Sequence, residues 1–221
     1  MLIKLVFTTL LIFAGSLATH AFQVAITELL PDPEPPVGLP AEEFIELTNV
    51  SGKNMSISGW SLSNGRTTSV IPDSTFLAEN EIIILCSSNS TSLFSAYGRA
   101  IGLTRFPALS NEMETIILRD NAGKTIHAVA YSSSWYNPEW PPPGRSLEMI
   151  DLKKSCTLQN NWAASKSATG GTPGRPNDPA AEPNDEQQFT LLYTYTNHES
   201  ELVLVFDDAI DTAATLTEKG L

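Results

Sequence analysis

Thr115-Ile116-Ile117-Leu118-Arg119 and Thr125-Ile126-His127-Ala128-Val129-Ala130-Tyr131 stand on either side of Asp120-Asn121-Ala122-Gly123. The two flanking runs are rich in β-branched and aromatic residues, which fit a pleated, half-buried surface. The four residues between them tolerate left-handed backbone and supply turn chemistry. The stretch reads as a β-hairpin, and the chain around it repeats the same kind of signal. Ile82-Ile83-Ile84-Leu85 is apolar on both faces, as expected of a central strand covered on both sides. In Glu43-Phe44-Ile45-Glu46-Leu47 the period of two puts Ile45 and Leu47 on one face, Phe44 and Glu46 on the other.

Further toward the N-terminus, Val24, Ile26 and Leu30 alternate, with Glu28 on the same register. Five of the ten residues from Pro31 to Pro40 are proline, so that segment cannot continue a strand and is a loop. Met55 and Ile57 are followed by Trp60 and Leu62, so the apolar phase shifts by one at Gly59. A glycine at such a slip predicts a β-bulge, and Asn64-Gly65 marks a turn. Several short strands at this spacing, with no sustained helical period between residues 22 and 177, predict an all-β sandwich. Two packed sheets bury enough surface for a domain of this size to stand alone.

Of 221 residues, 42% are hydrophobic and 17% charged, which excludes a globally disordered chain. The formal net charge is −12. An acidic chain repels phosphate backbones and anionic lipid, so nucleic acid is disfavoured as a partner.

Residues 1–21 read as an export signal: Lys4 supplies the positive start, Leu5 to Leu17 the apolar stretch, and Ala18-Thr19-His20-Ala21 a small-residue cleavage site after Ala21. The apolar run is short for a membrane span, so contact with a membrane is expected only through this signal. Export implies an oxidising compartment outside the cytoplasm: secreted, cell-surface or periplasmic. There the two cysteines, Cys86 and Cys156, read as one disulfide. Both fall at strand or loop edges, which favours a bridge over two buried thiols. Closing that loop would stabilise the fold by about 4 kcal/mol in the chain-entropy picture.

The expected organisation is a signal peptide at 1–21, a sandwich domain at 22–177, an acidic linker at 178–188 and a partial second β-domain or docked hairpin at 189–221. In the last part Leu191, Tyr193 and Tyr195 alternate, as do Leu202, Leu204 and Phe206, across the polar turn Asn197-His198-Glu199-Ser200. Residues 178–221 hold ten acids against one lysine, so most of the acidity lies in the tail.

A set of short motifs then falls in a recognisable order: Ile26-Thr27-Glu28; Glu43-Phe44-Ile45-Glu46-Leu47 with Asn49; Ser58-Gly59-Trp60-Ser61-Leu62-Ser63; Leu109-Ser110-Asn111; Gly123; Tyr131; Trp140; Ser146-Leu147-Glu148; Asn161-Trp162; and Gly171-Thr172-Pro173-Gly174-Arg175-Pro176-Asn177. In that order residues 24–177 resemble the lamin-tail domain, in the form found in exported bacterial proteins. The resemblance implies an immunoglobulin-like β-sandwich. The tail from residue 189 is similar to the opening strands of a second bacterial immunoglobulin-like domain. The chain departs from the family where His127 stands in place of a common Asp, where Ser132-Ser133 follow the tyrosine, and at Asn111-Glu112-Met113-Glu114.

The motif residues read as scaffold. Trp60 is a large core anchor, Asn49 and Asn161 can bond neighbouring backbone, and the Gly-Pro ending fixes a tight exit. No catalytic, cofactor or metal residue is expected. His127 and His198 lie on separate segments, against a zinc or catalytic-histidine site. The carboxylates Asp32, Glu34, Glu42, Glu43 and Glu46 lack a calcium-loop spacing; for Glu28 and Glu46, on strands, the resemblance implies buried hydrogen-bond partners. The candidate binding surface is the aromatic, proline-rich loop with Trp135, Tyr136 and Trp140 beside Pro141-Pro142-Pro143, a shape suited to stacking on sugar or peptide. Lys153, Lys154, Lys166, Arg145 and Arg175 are the bases of a weak nucleic-acid alternative. The expected function is an exported, non-catalytic module that attaches to protein, glycan or cell surface, the specific partner being unknown. The alternatives are an accessory domain of an exported hydrolase or nuclease, and a nucleic-acid-binding module.

Overall fold

The computed structural model describes residues 23–152 and 159–179, and the backbone of two strands at 191–198 and 201–206. Its strands in chain order are β1 (Val24–Leu30), β2 (Phe44–Asn49), β3 (Met55–Ser56), β4 (Ser61–Ser63), β5 (Thr68–Val70), β6 (Phe76–Leu77), β7 (Ile82–Ser87), β8 (Arg99–Leu103), β9 (Met113–Arg119), β10 (Thr125–Ser132), β11 (Leu147–Met149), β12 (Trp162–Ala164), β13 (Leu191–His198) and β14 (Glu201–Phe206). A four-residue helix, α1 (Thr91–Phe94), links β7 to β8.

The chain builds two main sheets. One has six strands in the order β12-β11-β1-β2-β7-β8, the other four in the order β10-β9-β4-β5. Every pairing in them is antiparallel except β7 with β8. The architecture is the expected all-β, immunoglobulin-like sandwich. The apolar residues of alternate positions meet between the sheets: Ile26, Leu29, Ile45, Leu47, Ile83, Leu85 and Leu147 from one, Leu62, Ile116, Leu118 and Val129 from the other, all fully buried. Each such side chain contributes roughly 1.5–3 kcal/mol of hydrophobic stabilisation.

Turn chemistry is as the sequence predicts in two hairpins. Gly123 takes a positive φ of 81° at the β9–β10 turn, where the Asp120 carboxylate accepts from the amides of Ala122 and Lys124. At the β4–β5 turn the Asn64 side chain accepts from the amides of Arg66 and Thr67. The expected tail hairpin is present as β13 paired with β14.

Two local expectations are corrected. The alternation in β1 does not run through from Val24 to Leu30. The register against β2 slips between Ile26 and Glu28, so Thr27 is an extra residue. Leu29, not Leu30, points into the main core, while Glu28 and Leu30 turn to the opposite face. Gly59 does have positive φ, at 73°, yet it sits in a turn rather than a bulge. Its neighbours β3 and β4 belong to different sheets, and the phase change marks the crossing between them.

The outer face of the six-stranded sheet carries a second, smaller core. Leu30, Phe44, Ile84 and Cys86 lie beneath Leu39 and Phe94, with the rings of Phe44 and Phe94 tilted at 5.3 Å. Cys86 is therefore wholly buried rather than at an edge, a free thiol whose pKa burial pushes up. Its expected partner Cys156 lies outside the described residues, as does the expected signal peptide at 1–21. Contacts of the sandwich reach past Asn177: Ser165 bridges to Pro179, and the Lys166 amide donates to the Asp178 carbonyl.

Candidate functional site: a buried glutamate row and the groove beside it

The Thr27 bulge has a chemical consequence. It leaves Glu28 facing outward directly between Glu46 on β2 and Glu148 on β11, its cross-strand partners. Three glutamates thus form a row across neighbouring strands, all with essentially no exposure. Carboxylates in cross-strand contact repel and cannot be buried without partners.

The partners come from residues 170–178, which cross over the row as a strap. The Thr172 amide donates to Glu28 Oε1 at 2.9 Å, the Gly174 amide to Glu46 Oε2 at 2.8 Å and the Asp178 amide to Glu148 Oε2 at 2.6 Å. Hydroxyls complete the set: Ser146 donates to Glu28 Oε1 at 2.6 Å, Thr27 to Glu46 Oε1 at 2.7 Å and Thr172 to Glu148 Oε1 at 2.8 Å. Asn177 ties down the end of the strap, its amide donating to the carbonyls of Thr27 and Met149, each at 2.9 Å. Two glycines of the strap are required by proximity. A Cβ on Gly171 would stand 2.7 Å from Glu28 Oε1, and one on Gly174, where φ is +74°, would stand 2.6 Å from the Tyr97 carbonyl oxygen.

Burial dominates the electrostatics. It holds Glu28 well above the ordinary carboxylate range, with Glu46 and Glu148 adding repulsion. Glu46 is pushed up to about 8, again by burial first, and Glu148 is raised for the same reason. At neutral pH Glu46 is therefore largely protonated. Glu28 Oε2 lies buried with no hydrogen-bond partner among the described residues.

At the Glu46 end the row meets a groove of about 350 Å³, lined by Thr27, Glu46 and Thr48 on one side and by Val50, Ile82, Met149, Ile150 and Leu152 along its walls, with Asn80, Pro176 and Asn177. A second buried titratable group stitches the sheets together. His127 on β10 accepts the Ile26 amide at Nδ1, 3.2 Å away and 101 residues apart in sequence. Only a neutral imidazole can accept there, and burial holds its pKa down to about 4.

The aromatic loop is largely absorbed into the fold. Trp135 packs on Trp162 with ring centroids 6.2 Å apart, and both Trp135 and Tyr136 lie against the main core. The Tyr136 hydroxyl donates to the Arg145 carbonyl at 2.8 Å. Of the three residues, Trp140 alone stays outside that core, half-buried with the Arg145 guanidinium 4.6 Å over its ring.

The charged clusters disperse. Asp32 accepts from Asn111, Glu42 from Ser90 and Glu43 from the Leu109 amide, while Glu46 belongs to the row. Glu34 and Glu42 line a separate cavity of about 280 Å³ with Glu43. Among the described residues no group of three or more His, Cys, Asp or Glu side chains could hold a metal ion. Arg145 donates to the carbonyls of Ser165 and Ser167 and Lys166 pairs with Asp178 at 3.3 Å; Lys153 and Lys154 lie outside the described residues.

The family resemblance implies Glu28 and Glu46 as buried hydrogen-bond partners, but the sequence reading misses Glu148, His127 as an acceptor and the strap as donor. β11 is three residues long, too short for alternation to single out Glu148. No helix of the described residues is long and apolar enough to cross a membrane.

No curated protein matches the chain. A family model described as the Lamin Tail Domain matches residues 18–133, which takes in β1 through β10 and stops short of Glu148 and the strap. With more than half its length matched, the chain belongs to the lamin tail domain family.

Proposed function

We propose that the chain is an exported, non-catalytic interaction module that attaches to a protein, glycan or cell-surface partner. One observation carries this reading: the titratable groups that might do chemistry are consumed by the fold. The three buried glutamates accept from the strap, His127 accepts from Ile26, and the hydroxyls of Tyr131 and Tyr136 donate to the carbonyls of Ser110 and Arg145. A general base or nucleophile has to be within reach of a substrate. Membership of a family of immunoglobulin-like interaction domains supports the same reading, and the net charge of −12 speaks against nucleic acid as the partner.

Glycan and peptide arrays probed with the full chain test the proposal. Binding is expected to a defined class of ligand, with no turnover of ester, glycoside or phosphodiester substrates by the purified protein. Steady turnover that survives removal of contaminants would overturn it. If the ligand stacks on the aromatic loop, Trp140→Ala abolishes the signal without lowering the Tm.

A further inference from the structure

The Arg145 guanidinium is held on two sides and open on a third. Both protons of its Nη1 are committed, to the carbonyls of Ser165 at 3.0 Å and Ser167 at 2.9 Å. Its Cζ lies 4.6 Å from the centre of the Trp140 ring. This clamp leaves Nε and Nη2 unused. Among the described residues neither nitrogen has an acceptor, and no carboxylate lies within ion-pair distance of the group. Arg145 is half-buried, yet neither nitrogen is among the buried polar atoms that lack a partner, so both reach solvent. The Nε–H and the Nη2–H beside it point the same way. They form the edge with which a guanidinium grips a carboxylate through two parallel hydrogen bonds.

The charge of an arginine is permanent, so the preference of this edge for an anion does not depend on the protonation of any neighbour. Its anchoring removes rotamer freedom that binding would otherwise cost. The preceding residues offer the anion no backbone donor of their own. Pro141, Pro142 and Pro143 have no N–H, the Trp140 amide donates to Asn137 and the Gly144 amide to Asp32. A planar anion of single charge fits one fork on a chain with 25 acids against 13 bases, which repels multiply charged phosphate. The same balance separates two carriers of a carboxylate. An acidic glycan adds only negative charge, whereas a protein can present its carboxylate among basic residues that suit an acidic surface. We infer that Arg145, backed by Trp140, is a receptor for a carboxylate presented by a partner protein with a basic surface around it. The inference rests on the reading of the chain as an interaction module and gives the aromatic loop its ligand chemistry.

The test uses the full chain and short acetylated alanine–lysine peptides in four forms: ending in a free carboxylate, ending in an amide, and amidated with one internal glutamate or glutamine. Calorimetric titration is expected to give at least tenfold tighter binding to a peptide with a carboxylate than to its amide counterpart. The preferred form shows whether the partner offers its C-terminus or a side chain. Arg145→Lys keeps the charge but loses the fork, and should weaken binding by tenfold or more. Trp140→Ala, outside the main core, should weaken it about fivefold with an unchanged Tm, so the test does not depend on Arg145→Lys folding well. Equal affinity for carboxylate and amide forms, or binding indifferent to both variants, would overturn the inference. So would tighter binding to a uronic-acid disaccharide than to any of the peptides, since the partner would then be a glycan. Binding that emerges only after Glu182→Gln, Asp185→Asn and Glu186→Gln would do the same, because the occupant would then be the chain's own acids. Failure here with an array ligand that still depends on Trp140 would leave the interaction module standing and remove only the carboxylate.

Discussion

The two faces of the six-stranded sheet are made by the same strands and solve burial in opposite ways. The inner face is aliphatic: Ile26, Leu29, Ile45, Leu47, Ile83 and Leu85 meet the second sheet, with His127 as the polar group at the junction. Part of the outer face is a row of three carboxyls, each matched to a backbone amide of one distant segment. Apolar burial is non-directional and tolerates small shifts. Polar burial is all or nothing, because one missing partner leaves a buried group with its full desolvation penalty. The inner face therefore supplies bulk stability, while the outer face fixes where residues 170–178 run.

This contrast can be broken from either side. The largest effect is expected on the inner face, where Leu47→Ala should lower unfolding free energy by about 3–4 kcal/mol through lost transfer energy and a cavity, as read from urea denaturation.

Acid should weaken the junction between sheets. The folded His127 titrates at about 4, below its unfolded value. Its contribution is complete above about pH 6.5 and is lost as the unfolded chain gains protons down to about pH 4, about 3 kcal/mol in all. His127→Asn, which retains an acceptor, should flatten that acid limb in thermal melts taken across this range.

The glutamate row has the opposite sign. Glu46 has a folded value raised to about 8, so its contribution is present below the unfolded carboxylate range and declines as pH climbs toward about 8. Glu46→Gln should reduce that alkaline slope. A wild-type stability profile flat from pH 5 to 8 would show that Glu46 is not protonated as described.

Smaller again is Glu28→Ala, which strands the Ser146 hydroxyl and the Thr172 amide and should cost about 2–3 kcal/mol. Glu28→Gln, which keeps an acceptor, should cost about 1 kcal/mol. Similar costs for the two variants would mean that the hydrogen bonds do not hold the strap. The smallest effect is expected away from both faces: Trp140→Ala should change stability by less than about 0.5 kcal/mol. Trp135→Ala, which removes a ring packed on Trp162, should cost about 3 kcal/mol.

Much of the fold is legible because strand signals are local. The alternation in Phe44–Leu47, the two-sided apolar run at Ile82–Leu85 and the turn residues at Asp120–Gly123 need only their immediate neighbours. The misreadings fall where the period breaks. One extra residue at Thr27 reverses the faces after it, and no propensity marks a threonine as a bulge. At Gly59 the phase shift was real, but a crossing between sheets and a bulge leave the same trace in one dimension.

The amino-acid sequence by itself determined an all-β sandwich and its hairpins, and its family resemblance implied that Glu28 and Glu46 would be buried hydrogen-bond partners. Only the tertiary structure decided what satisfies them. The Thr172 amide is 144 residues from Glu28 and the Gly174 amide 128 from Glu46, and a backbone N–H carries no sequence signature, since every residue but proline has one. Side-chain polarity can announce that a buried carboxyl needs donors; which stretch of chain delivers them is settled by the packing of the whole domain.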